Sequence, residues 1–203
     1  MVGGAQVNLL EVIVDKMFQF LARYMEISES ERKIILTSSR IVNYKKKEVI
    51  KNMTENTSNG YFVLSGCAYS LYNLNEKETV GEFFFEGEPI IVSMNDSDQE
   101  LFELRSLEDS TLAVINANDS ERHSNEFPRF ERVCRLFAEE RLNKSLHFCN
   151  QLKTLSPIEK YHFALKQRPQ LIQKVPQHLL AQYLGITPET LSRVRKQMKS
   201  YDH

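Results

Sequence analysis

The chain has 203 residues, with 41% apolar and 26% charged side chains, enough apolar material to bury a core across two ordinary domains. Three cysteines with no Cys-x-x-Cys spacing argue against a disulfide framework, a zinc cluster or an iron–sulfur site. The net charge of −1 hides an asymmetry: residues 154–203 carry eight Lys or Arg against three acids, and residues 1–153 carry 18 against 24, so only the C-terminal part suits a polyanion.

Val7 to Tyr24 places Leu10, Ile13, Val14, Met17, Phe18 and Leu21 at three- and four-residue intervals, an amphipathic helix. Glu11, Asp15 and Lys16 interrupt it, so neither a signal peptide nor a membrane span is expected, and a cytoplasmic location follows. Ser28 and Glu31 form a capping box that opens a second helix. Seven short runs then follow, many of them β-branched or aromatic: Arg40–Ile50, Tyr61–Ser65, Ala68–Leu74, Thr79–Glu86, Pro89–Met94, Leu101–Leu107 and Thr111–Ile115. Their spacing predicts an antiparallel sandwich or barrel. Within the first of them, Lys45-Lys46-Lys47 reads as a strand edge blunted by charge.

A long helix is predicted over about 125–152. Phe127, Phe130, Cys134, Phe137, Phe148, Cys149 and Leu152 keep to one side of it, and Arg141 and Ser145 interrupt the stripe. Pairing with a second copy would bury this stripe through Phe130, Cys134, Phe137, Arg141 and Phe148; packing on the chain's own β-domain is the alternative. Cys134 and Cys149 lie about 22 Å apart along a helix, too far to bridge within one chain, and buried helical cysteines are expected there. Ser156 caps the next helix with Pro157 at its first position, and Arg168-Pro169 breaks it.

Gln177 to Lys196 carries the strongest pattern. Ala181 supplies the small residue a helix-turn-helix needs at its crossing, and Gly185, four residues later, supplies the left-handed turn. Leu180, Leu184, Ile186, Leu191 and Val194 form the packing face. Thr187 caps the second helix ahead of Pro188. Gln177, Thr187, Pro188, Glu189, Thr190, Ser192, Arg193, Arg195 and Lys196 remain as candidate contacts to bases and phosphates. A plain helical hairpin with a solvated basic face would meet fewer of these requirements together.

A helix pair, a β-roll, a long helix and a helix-turn-helix in this order resemble the Crp/Fnr family of transcription regulators across essentially the whole chain. The segments that carry the resemblance are Gly60-Tyr61-Phe62-Val63-Leu64-Ser65-Gly66 and Leu184 to Arg193, and the compact form with Val175-Pro176-Gln177 is similar to members from the Bacteroidetes. The resemblance implies an α+β protein: a cyclic-nucleotide-binding-like roll over 1–124, a dimerisation helix over 125–153 and a DNA-binding domain over 154–203. It also implies a homodimer on palindromic promoter DNA, with RNA polymerase a candidate partner. The sequence offers no Ser-His-Asp, Cys-His, paired-carboxylate or phosphate-loop arrangement on a recognisable scaffold, so no enzymatic activity is expected. By position, Glu189 and Arg193 match the family's base-contacting residues; Pro188 stands where many members carry a longer polar side chain. The chain ends seven residues past Lys196, leaving little room for a β-wing.

Family members that bind cyclic nucleotides hold the ribose with a Gly-Glu pair and the phosphate with Arg-Ser or Arg-Thr. Here the ungapped correspondence puts the phosphate pair on Glu100-Leu101 and the ribose Glu on Val92, which leaves Glu88, Val92, Ser93, Glu100, Leu101 and Arg105 as the candidate effector pocket. Asp96, Asp98, Glu100 and Glu103 would repel a cyclic phosphate, so an effector other than cyclic AMP, or none, is expected. Arg105, the nearby cation, is expected to pair with an acid. His123, His147, His162 and His178 show no metal-binding spacing, and no cofactor is implied. A roll that has lost DNA binding and serves ligand or protein interaction is the alternative function.

Overall fold

A computed structural model describes residues 14–52, 59–74, 77–90, 102–115 and 128–201. Residues 14–22 are helical (α1) and bury Val14, Met17, Phe18 and Leu21. α2 (Glu29–Ser38) starts at the Ser28–Glu31 capping box, with the Ser28 amide donating to the Glu31 carboxylate at 2.8 Å. It stops where Thr37, Ser38 and Ser39 hydroxyls donate to the carbonyls of Lys33, Ile34 and Ile35, a competition with the helical ladder that hydroxyl side chains favour.

Among the described residues eight strands follow: β1 (Ser39–Tyr44), β2 (Val49–Asn52), β3 (Gly60–Ser65), β4 (Cys67–Leu74), β5 (Lys77–Phe85), β6 (Pro89–Ile90), β7 (Phe102–Ser106) and β8 (Ser110–Ile115). They form two antiparallel four-stranded sheets, β1-β8-β3-β6 and β2-β7-β4-β5. The expected first strand is two strands, because Lys45–Glu48 turns the chain. Lys47 there takes φ 70°, and Asp109 accepts from the Lys46 amide at 2.9 Å. The lysine run is therefore a turn and not a strand edge.

The strands that carry the apolar runs are covered on both sides, which is why their sequences do not alternate with polar residues. Tyr61 and Val63 of β3 point between the sheets with Ala68, Phe84, Leu104 and Leu112. Phe62 and Leu64 point the other way, onto α1, Ile35 and Val133. In β5, Phe84 faces the roll's interior, while Phe83 and Phe85 face the C-terminal helices.

The long helix α3 (Pro128–Thr154) connects the roll to four helices: α4 (Pro157–Gln167), α5 (Pro169–Lys174), α6 (Gln177–Tyr183) and α7 (Pro188–Tyr201). α5 fills a stretch with no predicted element; Arg168, at φ −144°, ends α4 and leads into it. α4 begins with the expected capping arrangement, in which the Ser156 amide donates to Glu159 at 2.8 Å. The architecture is α+β, and no helix among the described residues is long and apolar enough to cross a membrane.

Candidate nucleic-acid interface

α6 and α7 pack through Leu180, Ala181, Leu184 and Leu191, all essentially inaccessible, with Val194 beside them. Ala181 is fully buried where the helices cross, so a larger side chain would force them apart. Gly185 takes φ 62° between them, and a Cβ there would meet only Lys160 Nζ at 3.8 Å. Conformation, not space, demands glycine at this position. Thr187 accepts from the Thr190 amide at 3.2 Å, which caps α7. Gln177 donates through Nε2 to the Pro188 carbonyl at 3.0 Å and ties the first helix to the start of the second.

The two sides of α7 are chemically distinct. Leu191, Val194, Arg195 and Met198 lie at i, i+3, i+4 and i+7 on the inner side. Arg195 donates to the Ile172 carbonyl at 3.4 Å and lies 5.9 Å from the Tyr161 ring centre, so it braces α7 against α4 and α5. Its Nε is buried with no hydrogen-bond partner among the described residues. The position was readable from the spacing, since residue 195 falls four after Leu191. Pro188, Glu189, Arg193 and Lys196 are exposed; Ser192 and Thr190 are half-buried at the margins. The Glu189 carboxyl is held below the ordinary range by its own backbone amide, then by the Thr187 hydroxyl and by Arg193, so it is an ionised acceptor beside a cationic donor.

The helix-turn-helix is seated on the edge of β5. The Gln182 amide acts as a short extra strand: its Nε2 donates to the Glu78 carbonyl at 2.8 Å, and its Oε1 accepts from the Val80 amide at 3.3 Å. Below this, Arg168 pairs with Glu82, and donates to the Phe83 carbonyl at 2.8 Å and to Glu88 at 3.4 Å. Tyr183 donates to Glu82 at 2.9 Å, and its ring meets Phe83 edge-on with centres 5.3 Å apart. Burial, reinforced by Glu82, pushes the Tyr183 hydroxyl far above its ordinary value, so it is a neutral donor. Burial works against the charge of Arg168, but Glu82, Tyr183 and Glu88 outweigh it and raise the guanidinium's pKa. Sequence reasoning singled out neither Arg168 nor Tyr183 for this contact, because no local spacing links them to Glu82.

α3 presents two faces. Val133 and Phe148 are buried in the chain's own core, and Phe137 packs edge-on against Phe20 at 4.9 Å. Arg141 points to Glu82 at 3.5 Å and Glu88 at 3.8 Å. Phe137, Arg141 and Phe148, expected on a pairing face, are thus turned inward, because α1, the roll and α4 cover that side. The Phe130 side chain lies outside what the structure describes. Cys134 and Cys149, expected to be buried, are exposed, and Cys67 is the buried thiol. The outward face carries Leu142 at 59% and Leu146 at 53% exposure, one helical turn apart.

Of the candidate effector residues, Val92, Ser93, Glu100 and Leu101 lie outside the described residues. Glu88 turns toward Arg141 and Arg168, whereas Arg105 pairs with Glu103 and, at 3.6 Å, with Glu78. The two residues serve separate ion pairs.

No protein-family model matches the sequence, and no curated protein matches it. Solved structures do. FixK2 from Bradyrhizobium japonicum superposes with a TM-score of 0.70 at 19% identity, over 81% of this chain and 86% of that one. The c-di-GMP responsive global regulator CLP from Xanthomonas campestris gives 0.63 at 18% identity, over 86% and 93%. A protein from Eubacterium rectale described as a transcriptional regulator of the crp/fnr family gives 0.64 at 17% identity, over 86% and 85%. The chain has the Crp/Fnr regulator fold. Within that fold, the β-roll, α3 and the helix-turn-helix occupy the three successive parts of the chain, and α7 presents its polar side to solvent.

Proposed function

We propose that the chain is a homodimeric, sequence-specific DNA-binding transcriptional regulator and not an enzyme. The observation that carries this reading is the outer side of α7, where Glu189, Arg193 and Lys196 stand exposed on a helix held rigidly from behind. Arg193 can donate two bonds to a guanine, Glu189 can accept from a cytosine N4, and Lys196 can neutralise a phosphate. Thr190 and Ser192 sit at the margins for sugar and phosphate contacts, and Gln177 and Thr187 set the start of the helix. Arg195 supports the head from within.

Dimerisation uses the outward face of α3, where Leu142 and Leu146 are the large apolar side chains left to solvent. A symmetric pair of these helices would bury both, and two recognition helices about 34 Å apart would then meet successive major grooves. The cytoplasm is the compartment in which such a reader meets its DNA. An effector other than a cyclic nucleotide, or none, fits the sequence, because Glu100-Leu101 and Val92 stand where cyclic-nucleotide binders carry Arg-Ser or Arg-Thr and Glu.

Selection from random duplex DNA by the purified protein, with no ligand added, tests the reading. A palindrome with half-sites one helical turn apart is expected, with affinity falling steeply as salt rises. Arg193→Ala should cost about 1–3 kcal/mol per half-site and relax one base position. Leu142→Lys with Leu146→Lys should shift sedimentation to the monomer. No enrichment in buffer or in cell extract, or an unchanged site preference in Arg193→Ala, counts against the reading.

A further inference from the structure

Where the roll, α3 and the helix-turn-helix unit meet, the structure leaves a solvent-open cleft of about 370 Å³. Its apolar wall is Phe148, Phe163 and Tyr183, and Phe148 and Phe163 stand with ring centres 5.3 Å apart. Arg141, Lys144 and His147 reach it from α3, and Glu82 and Glu88 from the roll. Volumes of this order at a junction of domains, with an aromatic wall and a few convergent polar groups, are typical of small-molecule sites.

The two arginines at this junction are not equally occupied. Arg168 is held by Glu82, by the Phe83 carbonyl at 2.8 Å, and by stacking against Phe85 at 5.4 Å. Arg141 is four-fifths buried and also lies over a ring, that of Phe84 at 5.6 Å, but its approaches to Glu82, Glu88 and the Phe83 carbonyl are 3.5, 3.8 and 3.5 Å, longer than the Arg168 contacts to Glu82 and the Phe83 carbonyl. A guanidinium offers five donors in a planar fork and prefers close, bidentate anion contacts. Arg141 is thus half-satisfied and faces a cavity with an aromatic wall.

We propose that this cavity binds a small aromatic carboxylate, its carboxylate paired with Arg141 and its ring laid against Phe148 and Phe163. Lys144 adds a second cation, its own partner being the half-buried Glu140, which also accepts from the Tyr24 hydroxyl. The same cavity wall includes Tyr183 and Arg168, which seat the helix-turn-helix on the roll, so an occupant would touch the contact that fixes the reading head. That regulatory consequence rests on the DNA-binding reading; the binding itself does not.

The test is binding of benzoate and phenylpropionate to the whole protein, without DNA, by calorimetry and by ligand-observed NMR saturation transfer. Saturable binding is expected with the ring protons close to the protein. It should weaken at least tenfold in Arg141→Gln and severalfold in Phe163→Leu, and remain unchanged in Arg135→Gln on the exposed side of α3. Circular dichroism checks that each variant is folded, and Phe163→Leu keeps the test open should Arg141→Gln fail to fold. Absence of saturable binding, equal binding in Arg141→Gln, or equally tight binding of inorganic phosphate would overturn the proposal. Because no DNA is present, a failure here leaves the DNA-binding reading standing, and the reverse also holds.

Discussion

Three glycines among the described residues have positive φ in different surroundings, and substituting each by alanine separates backbone strain from crowding. Gly185, at φ 62°, has only Lys160 Nζ at 3.8 Å from an added Cβ, and Gly87, at φ 83°, has nothing within 4 Å. Gly66, at φ 89°, would place a Cβ 2.3 Å from Ser110 Oγ and 2.8 Å from the Asp109 carbonyl. A non-glycine residue in the left-handed region costs roughly 1–2 kcal/mol, partly offset because alanine loses less entropy on folding. Gly185→Ala and Gly87→Ala should therefore each cost about 1 kcal/mol, a fall in Tm of about 2–4 °C for a chain of this size. Gly66→Ala adds overpacking of about 1–3 kcal/mol against backbone that cannot yield, and it disturbs the Ser110 hydroxyl that accepts from the Cys67 amide at 3.1 Å. Its loss should be about two to four times that of either of the other two. Thermal unfolding of the three variants beside the parent, followed by circular dichroism, gives the comparison. A Gly185→Ala protein as stable as the parent, or one as damaged as Gly66→Ala, would refute the reasoning.

Other outcomes follow from the ion pairs and thiols. Arg168→Met keeps an unbranched apolar stem but leaves Glu82 short of its main partner; with side chains only 15% and 22% exposed, the loss should be about 2–3 kcal/mol in urea unfolding, whereas the exposed Lys174–Glu108 pair should be worth under about 1 kcal/mol in Lys174→Gln. The Glu31 carboxyl is held below the ordinary range by Arg129, and then by Ser28, so the folded state binds fewer protons there than the unfolded chain. The stability it adds is complete above the ordinary carboxylate pKa and disappears as pH falls through the lowered one; Glu31→Gln should flatten the acid limb of a stability–pH curve and leave the neutral region parallel to the parent. Burial drives the Cys67 thiol far up, so peptide mapping after native alkylation should find Cys67 unmodified and find it labelled only after denaturation.

The helix-turn-helix was readable in the sequence because its requirements are local. A small residue, a left-handed turn and a capped helix recur at fixed offsets within twenty residues, and Ala181, Gly185 and Thr187 stand at those offsets in the structure. The inward direction of Arg195 obeys the same periodicity as Leu191 and could have been taken from it. The break between the first two strands at Lys45–Glu48 is not legible locally, since a run of three lysines hides a turn that needs one residue at positive φ and an acceptor 63 residues away, Asp109.

What only the tertiary structure decided is which face of an amphipathic element meets which neighbour. The apolar stripe of α3 was visible, but both Phe137 and Leu142 fit a stripe, and choosing between own core and outer face requires the position of the roll. The run Phe83-Phe84-Phe85 signalled burial without saying that its two sides serve different layers, one inside the roll and one under the helix-turn-helix. The pairing of Glu82 with Arg168 and Tyr183 spans 86 and 101 residues, and the half-satisfied Arg141 lies among them. Spacing along a chain determines what a segment can form by itself; contacts between distant segments depend on where loops and sheets bring them, and no local pattern records that.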